Sequence, residues 1–473
     1  MKKVKLVAFL AILAVSLVYW GCGDPAKPDP EEPKKEDPNT GSNSEINPNG
    51  PGAWDPVWSC PNDISAGSLN LAKDNLGIDS HYVIIEFKNG GKPKITAVPS
   101  GQGYAEWNNE DGENVKLKVG DYYFNNEEIQ YSVIVTGTTA NGSLWISGGG
   151  RKILYLNGAN ITNPSGPAIN IQSGKRVDVH LVGSCDRRNI LKGAGRETVG
   201  EGEDKEQFKG AFFSEGSLIF GGSGSLEVRS TKKHAIVSDG FIEVESGNIL
   251  IYQSESDGIH ANERIAIKGG KLQIKCEGDA IQNERKTAGQ DKNPCKITVS
   301  GGDIKIRTTG AKGHGIVSDS NDVVITGDAT KIDITLTGNG SKGIRSRGDV
   351  EIDGATTYLE AHGARVLLEG EDTSSAAGIR ADGDVKITRG VLTIKSTRAN
   401  ENGKGLNIDG ALKVIGGTTS ITADGDGVKV LGAFNMSGGT LKARSARKKD
   451  IDCNVDTYSK TGGTLDAGIN SRK

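Results

Sequence analysis

Acidic residues recur at a fixed spacing near the middle of this 473-residue sequence. The segment SDGIHAN around Asp257 returns 22 residues later as GDAIQNE around Asp279. If successive repeats stack as neighbouring strands, the two carboxylates lie about 5 Å apart and repel each other. Ca²⁺ binds through carboxylate, carbonyl and water oxygens and would remove that repulsion. The alternative is a pair of exposed turn carboxylates, tolerated because of solvent screening and the nearby His234 and His314.

A second group of acidic residues lies near the C-terminal end of the sequence and is interleaved with lysines. Its members are Asp424, Asp426, Asp450 and Asp452, with Lys404, Lys429, Lys448 and Lys449 between and around them. The group is either another Ca²⁺ site or a charge-balanced surface. In calcium-dependent polysaccharide lyases the ion acidifies the proton next to a uronate carboxylate, and a Lys or Arg removes it. Lys429 is the candidate base for such a reaction, and a solvated surface lysine is the alternative; no catalytic residue is otherwise assigned.

Three arginines, Arg345, Arg347 and Arg380, fall at equivalent or neighbouring positions of successive repeats. Guanidinium groups form paired hydrogen bonds with carboxylates, so a stripe of them suits carboxylated sugars. Trp107 is a candidate aromatic surface for a sugar ring, although a role in covering the end of a repeat array is equally open.

The repeat itself predicts the fold that must position these residues. A small residue followed by an aliphatic one recurs every 22 to 24 residues, except where polar insertions lengthen the step, as at 285–294 and 363–376. Segments such as DVEID (349–353) alternate apolar and polar residues with period two, which indicates strands rather than helices. Glycine is abundant (67 residues), as tight turns between short strands require. We therefore predict an all-β, parallel β-helix in which each repeat forms one coil.

The stacking of coils predicts columns of equivalent residues. One column begins each repeat and includes Asp257 and Asp279, and the residue after each aliphatic position should point outward along one continuous face. A third column, three residues after the aliphatic position, is rich in Asp and Asn, and we expect its side chains to bond nearby backbone at a corner.

The N-terminal part of the chain differs from the repeats. Residues 1–21 are predicted to be a lipoprotein signal peptide, with Cys22 as the lipidated residue, and residues 22–52 a disordered tether rich in proline and charge. Residues 53–152 hold four of the five tryptophans and are predicted to form a β-rich cap or early coils, followed by the β-helix at 153–473. A signal peptide without lipidation is the alternative for the first segment.

Bulk charge and cysteine content set further limits. The net charge is −3, which gives no electrostatic reason to expect a nucleic-acid partner. Of the six cysteines, Cys276 and Cys295 are the disulfide candidates because they fall on neighbouring repeats. An equally open interpretation is that both are small buried residues.

Several segments of the repeat region resemble the clostridial β-helix carbohydrate-binding domain family. They include ILYLNGANITNPSGPAINIQSG (153–174), DGIHANERIAIKGGKLQI (257–274) and HGIVSDSNDVVITG (314–327). The resemblance implies a right-handed parallel β-helix, bound Ca²⁺, and binding of cellulose or acidic plant polysaccharides without established catalysis. Acidic residues close to Cys22 resemble those of surface-exposed Bacteroidetes lipoproteins. The acidic residue that begins the family's repeats is retained at Asp257, Asp279 and Asp426, so fewer ions are expected here.

These observations lead to one preferred function and two alternatives. We predict a monomeric outer-membrane lipoprotein, exposed on the cell surface, that binds polysaccharide on a face of the β-helix. The alternatives are a calcium-dependent polysaccharide lyase with Lys429 as base, and a structural or adhesive surface protein with no glycan ligand.

Overall fold

The computed structural model describes the repeat region and part of the sequence before it. The described residues are 81–98, 105–109, 111–120, 123–124, 127–128, 130–183, 188–195, 198–199, 206–284, 295–367, 373–397 and 402–470. All of them belong to one compact unit, Trp58–Lys473. The predicted signal peptide, Cys22 and the tether at 22–52 lie outside the described residues. Within the described ranges, no helix has the length and apolar character needed to cross a membrane.

The described chain is built almost entirely of short strands, which form two large sheets. The first is a 14-stranded sheet. Its strands are β3 (Ala105–Asn108), β4 (Val115–Val119), β8 (Leu144–Ser147), β10 (Ile169–Gln172), β15 (Gly210–Ser214), β18 (His234–Ser238), β21 (Ile259–Ala261), β24 (Ile281–Asn283), β27 (Ile316–Ser318), β30 (Lys342–Ser346), β34 (Ala377–Ala381), β36 (Lys404–Ile408), β39 (Val428–Val430) and β42 (Ile451–Asp452).

The second sheet has 24 strands and supplies the other sides of the coils. Its strands are β1 (Tyr82–Lys88), β2 (Gly91–Val98), β7 (Tyr131–Thr139), β9 (Lys152–Asn163), β11 (Val177–Val182), β12 (Asn189–Gly193), β16 (Leu218–Gly222), β17 (Ser225–Ser230), β19 (Ile242–Val244), β20 (Asn248–Gln253), β22 (Ile265–Ile267), β23 (Lys271–Cys276), β25 (Ile297–Val299), β26 (Asp303–Thr308), β28 (Val323–Thr326), β29 (Lys331–Leu336), β31 (Val350–Ala361), β35 (Val385–Ser396), β37 (Leu412–Val414), β38 (Thr418–Ala423), β40 (Phe434–Met436), β41 (Thr440–Ser445), β43 (Tyr458–Lys460) and β44 (Thr464–Asp466).

Three short hairpins and one 3-10 turn complete the described elements. The hairpins pair β5 (Tyr123–Phe124) with β6 (Glu127–Glu128), β13 (Thr198–Val199) with β14 (Glu206–Gln207), and β32 (Val366–Leu367) with β33 (Thr373–Ser374). The 3-10 turn spans Val455–Thr457.

Successive repeats stack in parallel, as the sequence predicts. In the 14-stranded sheet Ile259 pairs with Ile281, and Ile281 pairs with Ile316 in the next coil. These isoleucines are buried in one hydrophobic core that runs through the described coils. Burying each such side chain contributes about 1.5–3 kcal/mol, so the aliphatic column holds the coils in register. The parallel β solenoid is thus confirmed, while the right-handed sense of the coil stays a prediction.

Paired glycines turn the chain between the two stacks of the 24-stranded sheet. In Gly269–Gly270, which separates β22 from β23, the second glycine has φ +80°. A side chain strongly disfavours this left-handed conformation, so glycine occupies the position. The tight turns that the glycine content predicts are therefore present at this pair.

Antiparallel pairing occurs where each large sheet begins. β1 pairs antiparallel with β2 and parallel with β7, and β3 pairs antiparallel with β4, which is parallel to β8. The described part of 53–152 therefore contains both hairpins and strands already stacked in parallel. The predicted cap at 53–152 stays a prediction.

The two candidate disulfide cysteines, Cys276 and Cys295, are free buried thiols, so the predicted bond is absent. The Cys276 thiol donates to the Gly278 carbonyl (3.4 Å), at the corner that leads into β24. The Cys295 sulfur accepts the Asn283 side-chain amide (3.3 Å), at the corner that follows β24. Neighbouring repeats thus place the two sulfurs at different corners, where a disulfide would need the backbone to move.

Candidate functional site

One face of the 14-stranded sheet carries a continuous row of side chains outside the main core, which we call the outer row. Each member directly follows a core residue in its strand, and strand pairing aligns it with its neighbours. The members are Lys116, Trp145, Asn170, Phe213, Val237, His260, Gln282, Val317, Arg345, Arg380, Asn407, Lys429 and Asp452. The outward column predicted from Val237 to Asp452 is confirmed.

A second aligned set, which we call the leading column, begins each coil. Its members are His234, Asp257, Asp279, His314, Lys342, Ala377, Lys404, Asp426 and Lys449. A leading residue whose side chain can accept a hydrogen bond accepts one from the backbone N–H of the leading residue in the next coil. Asp257 Oδ1 accepts the N–H of Asp279 (2.9 Å), and Asp279 Oδ1 accepts the N–H of His314 (2.7 Å). Nδ1 of His314 accepts the N–H of Lys342 in the same way (2.9 Å).

Backbone carbonyls replace the side-chain acceptors where the leading residue has no acceptor. The N–H of Ala377 donates to the Ser341 carbonyl (3.0 Å), and that of Lys404 donates to the Ala376 carbonyl (2.9 Å). The Lys342 ammonium turns back to the Gly340 carbonyl (2.6 Å). Burial lowers the pKa of Lys342 to about 8, and nearby arginines add to the effect. A leading Asp or His therefore has a structural role: it connects one coil to the next.

Around Asp257 the leading column and the outer row meet in a group that we call the acid–histidine cluster. Its members are His234, Asp257, His260, Asp279 and Glu284, of which Asp257 and His260 are buried and Glu284 is exposed. Asp257 Oδ2 lies 3.0 Å from Nδ1 of both His234 and His260. The two imidazole rings stack with centroids 4.7 Å apart and planes 27° apart. His260 Nε2 lies 3.9 Å from Glu284 Oε2. Two coils thus direct ring nitrogens at one carboxylate oxygen.

The two aspartates of this cluster have opposite pKa shifts. Burial opposes ionisation of Asp257, but the contacts with His234 and His260 outweigh it and hold the pKa of that carboxyl well below its usual range. Burial, and then the charge of Asp257, raises the pKa of Asp279 to about 7. One carboxylate is thus stabilised in its ionised form, and the other favours its protonated form near neutrality.

The residue before Asp279 shows how closely this cluster is packed. A Cβ atom on Gly278 would lie 2.5 Å from Asp257 Oδ1. Glycine therefore leaves the room that the Asp257 carboxylate needs to reach the Asp279 backbone.

The arginines further along the outer row are paired with carboxylates. Arg345 donates to Asp319 (3.1 Å), and Arg380 contacts Asp409 (2.6 Å) and Asp382 (2.8 Å). Arg347 is farther from Asp382, at 3.7 Å, and more than half of its side chain is exposed. The structure thus brings the three predicted arginines together, as parts of arginine–aspartate pairs rather than as an isolated basic stripe.

Their partners come from the column that the sequence assigned to corners. Asp319 and Asp409 bond guanidinium groups, whereas Asp349 and Asp384, at a later turn, bond the backbone: Asp349 Oδ1 accepts the Asp384 N–H (2.7 Å). The predicted backbone role of the third column, three residues after the aliphatic position, is therefore wrong for Asp319 and Asp409. An Arg and an Asp two residues apart on one strand face, as at 380 and 382, was a signal for pairing.

The predicted aromatic residue Trp107 lies away from the arginines. It pairs with Leu117, a core residue, so it faces the core side of the sheet, but on this first strand Trp107 remains 43% exposed. β3 is nine strand positions from β30, or roughly 43 Å at the usual spacing. The tryptophan that does lie in the outer row is Trp145, whose ring packs edge-on against Phe208 (5.2 Å). Trp145 could not be identified from the sequence, because aromatic residues alone do not reveal sheet faces.

The side chains of the C-terminal aspartates accept hydrogen bonds from nearby backbone N–H groups. Asp450 accepts the N–H groups of Ser445 (2.7 Å) and Gly468 (3.2 Å), and Asp426 accepts that of Lys449 (3.3 Å). Among the described residues, one trio of possible metal ligands has all its ligand atoms within 4.8 Å of one another, and it is His234, Asp257 and His260. Ca²⁺ binding at Asp257, Asp279, Asp424, Asp426, Asp450 and Asp452 stays a prediction.

Lys429, the candidate base, occupies the outer row between Asn407 and Asp452. Asp452 is bonded by Lys449 (2.6 Å). Burial lowers the pKa of the neighbouring Lys404, and the charge of Lys429 adds to the effect. This end of the row therefore places lysines beside carboxylates, and the lyase role of Lys429 stays a prediction.

Comparisons with known proteins identify the family of this chain. A family model described as "Carbohydrate-binding domain-containing protein" matches residues 126–404. No curated protein matches the chain. A solved structure, that of the polysaccharide lyase-like protein from C. thermocellum (gadolinium derivative), is 20% identical, covers 58% of this chain and 97% of its own, and has a TM-score of 0.42. Since the family match spans more than half of the sequence, this chain belongs to the carbohydrate-binding domain-containing protein family.

Proposed function

We propose that the outer row from Arg345 to Lys429 binds polysaccharide, with a preference for acidic glycans. One observation carries the proposal: strand pairing aligns Arg345, Arg380, Asn407 and Lys429 on four successive strands. A linear polymer lying across the strands would meet one polar side chain about every 4.8 Å.

The carboxylate partners prepare the arginines for binding. Asp319 holds Arg345, and Asp382 with Asp409 holds Arg380, so neither side chain must be ordered when a ligand arrives. A guanidinium group has five N–H donors, and those not bonded to aspartate remain for sugar oxygens. Holding long side chains in place before binding lowers the entropic cost of association.

The positive charges of Lys404 and Lys429 favour a carboxylated sugar. Lys404 and Lys429 lie on adjacent strands, and burial together with this neighbouring charge lowers the pKa of Lys404. A carboxylate bound between the two ammonium groups would reduce their repulsion. An uncharged glycan would gain hydrogen bonds but not this relief.

Binding should be measured by isothermal titration with polygalacturonate, its methyl-esterified form and soluble cello-oligosaccharides. We expect the double variant Arg345→Gln/Arg380→Gln to weaken polygalacturonate binding by at least about tenfold, which corresponds to 1.4 kcal/mol. Arg389→Gln is the matched control, because Arg389 also bridges two aspartates, Asp353 and Asp328, but lies on β35 in the other sheet. Equal loss in the control, or no binding to any of the three glycans, would contradict the proposal.

The same proteins and glycans also test whether Ca²⁺ assists binding and whether the polymer is cleaved. If Ca²⁺ takes part, EDTA weakens binding and added Ca²⁺ restores it. Prolonged incubation with polygalacturonate, followed by ultraviolet absorbance of unsaturated product, tests the lyase alternative, and loss of product in Lys429→Ala would identify the base. Unchanged polymer supports a binding protein.

We further propose that the chain is an outer-membrane lipoprotein attached through Cys22, which presents a right-handed β-helix at the cell surface as a monomer. Support comes from the sequence: the apolar segment at 6–20 precedes Gly21–Cys22, and a proline-rich tether follows. Incorporation of a labelled fatty acid into the wild type but not into Cys22→Ser would support the anchor. Protease accessibility on intact cells then tests surface exposure.

A further inference from the structure

We infer that His234, Asp257 and His260 form a binding site for a transition-metal ion of the zinc class. The three residues come from two adjacent coils, and their ligand atoms lie within 4.8 Å of one another. The site is separate from the polysaccharide-binding segment proposed above, since β21 and β30 are three strand positions apart.

The donor set distinguishes this ion from Ca²⁺. Two imidazole nitrogens and one carboxylate oxygen suit Zn²⁺, Ni²⁺, Cu²⁺ or Fe²⁺, whereas Ca²⁺ prefers an all-oxygen shell. Three protein ligands with a further position for water are a common arrangement for zinc. The trio therefore selects a different class of metal from the one that acidic repeats suggest.

The ligand atoms around Asp257 are close enough to share one ion. Zn–N and Zn–O bonds are about 2.0–2.2 Å, so two ligand atoms 3.0 Å apart would subtend an angle of about 90–95° at the metal. Asp257 Oδ2 is at that distance from Nδ1 of His234 and from Nδ1 of His260. Modest rotation of the two imidazole rings would bring all three atoms into one shell.

Nδ1 of His234 has two alternative partners in the metal-free chain. With a lone pair it accepts the backbone N–H of Asp257 (3.1 Å), and with a proton it donates to the Asp257 carboxylate oxygen at 3.0 Å. His260 can donate its Nδ1–H to the same oxygen. A metal ion would take the Nδ1 lone pair of His234 in place of the Asp257 N–H and would be shared with His260 and the carboxylate oxygen.

The position of the trio allows an ion to enter. The side chains of His234, Asp257 and His260 are 12%, 8% and 8% exposed, so the site lies just below the surface of the solenoid. Glu284, whose side chain is half exposed, lies at the outer edge of the cluster beside His260. A bound ion would link the coils that begin at His234 and at Asp257, and would stabilise the folded chain by mass action.

The test uses untagged, full-length protein stripped of metal, because a histidine tag would bind the same ions. Thermal unfolding is followed with Zn²⁺, Co²⁺, Ca²⁺ and Mg²⁺, and Zn²⁺ stoichiometry is measured by titration calorimetry. We expect one Zn²⁺ per chain, a Zn²⁺-dependent rise in Tm, and a much smaller rise with Mg²⁺. His260→Gln and Asp257→Asn should each weaken Zn²⁺ binding about 100-fold.

His362→Gln is the matched control, since His362 also contacts a carboxylate, Glu360 at 3.0 Å, outside the cluster. It should bind Zn²⁺ as the wild type does. If the cluster variants do not fold, X-ray absorption at the zinc edge of the wild type should show two imidazole ligands at about 2.0 Å. An oxygen-only shell, an unchanged Zn²⁺ affinity in His260→Gln, or no Zn²⁺ binding at all would overturn the inference. Intact Zn²⁺ binding with no glycan binding would overturn only the proposed function.

Discussion

Two segments of the same sheet face use one backbone design in different ways. In the acid–histidine cluster the polar side chains are largely buried and bond each other or the next coil's backbone, as Asp257 does with Asp279. The outer row from Arg345 to Lys429, which we call the arginine segment, has part-exposed arginines that pair laterally, as Arg380 does with Asp409. Both segments share the register of the core aliphatic residues.

This difference shows that column position does not determine the role of a polar residue. An acceptor in the leading column connects coils, whereas Lys342 or Ala377 at the same position leaves that task to backbone carbonyls. Backbone carbonyls maintain the stacking of coils where side chains do not, so the side chains of the arginine segment are available for other contacts. We therefore assign structural work, and the inferred metal site, to the first segment, and glycan binding to the second.

The largest effect on stability is expected from Asp257→Ala. The change leaves the Asp279 N–H without its acceptor and removes the carboxylate that contacts both imidazoles, which should lower the free energy of unfolding by about 3 kcal/mol. Urea unfolding of metal-free protein measures it. Asp409→Ala removes a part-exposed partner of Arg380 and should cost less than about 1 kcal/mol. Similar costs for the two variants would remove the distinction between the segments.

A smaller, pH-dependent effect is expected from Asp279→Asn. The pKa of Asp279 is about 7 in the folded chain and near the ordinary 3.8 when unfolded, so the folded state binds more protons between these values. Stability from this group is therefore present below pH 4 and lost as the pH rises through 7. The asparagine oxygen can still accept the His314 N–H. As the pH is raised from 5 to 8, we expect the free energy of unfolding of the variant to increase by about 1–3 kcal/mol relative to that of the wild type.

Urea unfolding in EDTA at both pH values measures that gain. Asp257→Asn is the opposite control, because its carboxyl has a lowered pKa and supplies stability that is present above its ordinary pKa and lost only on acidification. If wild type and Asp279→Asn differed in free energy of unfolding by the same amount at pH 5 and at pH 8, the assigned pKa of Asp279 would be wrong.

The smallest effect on stability is expected from Arg380→Gln. Its ion pairs with Asp382 and Asp409 are partly exposed, and such pairs contribute less than about 1 kcal/mol. A change in Tm comparable to that of Asp257→Ala would show that the arginine segment supports the fold instead of being free for ligands.

Much of the architecture could be predicted from the sequence because it depends on local periodicity. The small-aliphatic pair sets the core side of each strand, and so it predicted that His260, Arg345 and Lys429 point outward. Contacts between columns could not be predicted in this way. The convergence of two imidazoles on Asp257 joins a leading residue and an outer-row residue of different coils, and ring orientation has no sequence signature.

The remaining errors have similar physical causes. The Cys276–Cys295 bond was predicted from proximity in repeat number, whereas a disulfide requires both sulfurs at one corner of the coil. Trp107 lies on the first strand of the sheet, away from the arginines, and faces the core side. The register of its hairpin sets that face, and the repeat does not specify this register.

We propose that the arginine segment of the outer row, and not arginine content in general, binds acidic polysaccharide. Titration of polygalacturonate into Arg345→Gln/Arg380→Gln and into Arg389→Gln distinguishes the two, since these variants remove aspartate-paired arginines from different sheets. We expect at least about tenfold weaker binding in the first variant and wild-type affinity in the second. Equal affinity in the two variants would show that the arginine segment is not the binding surface.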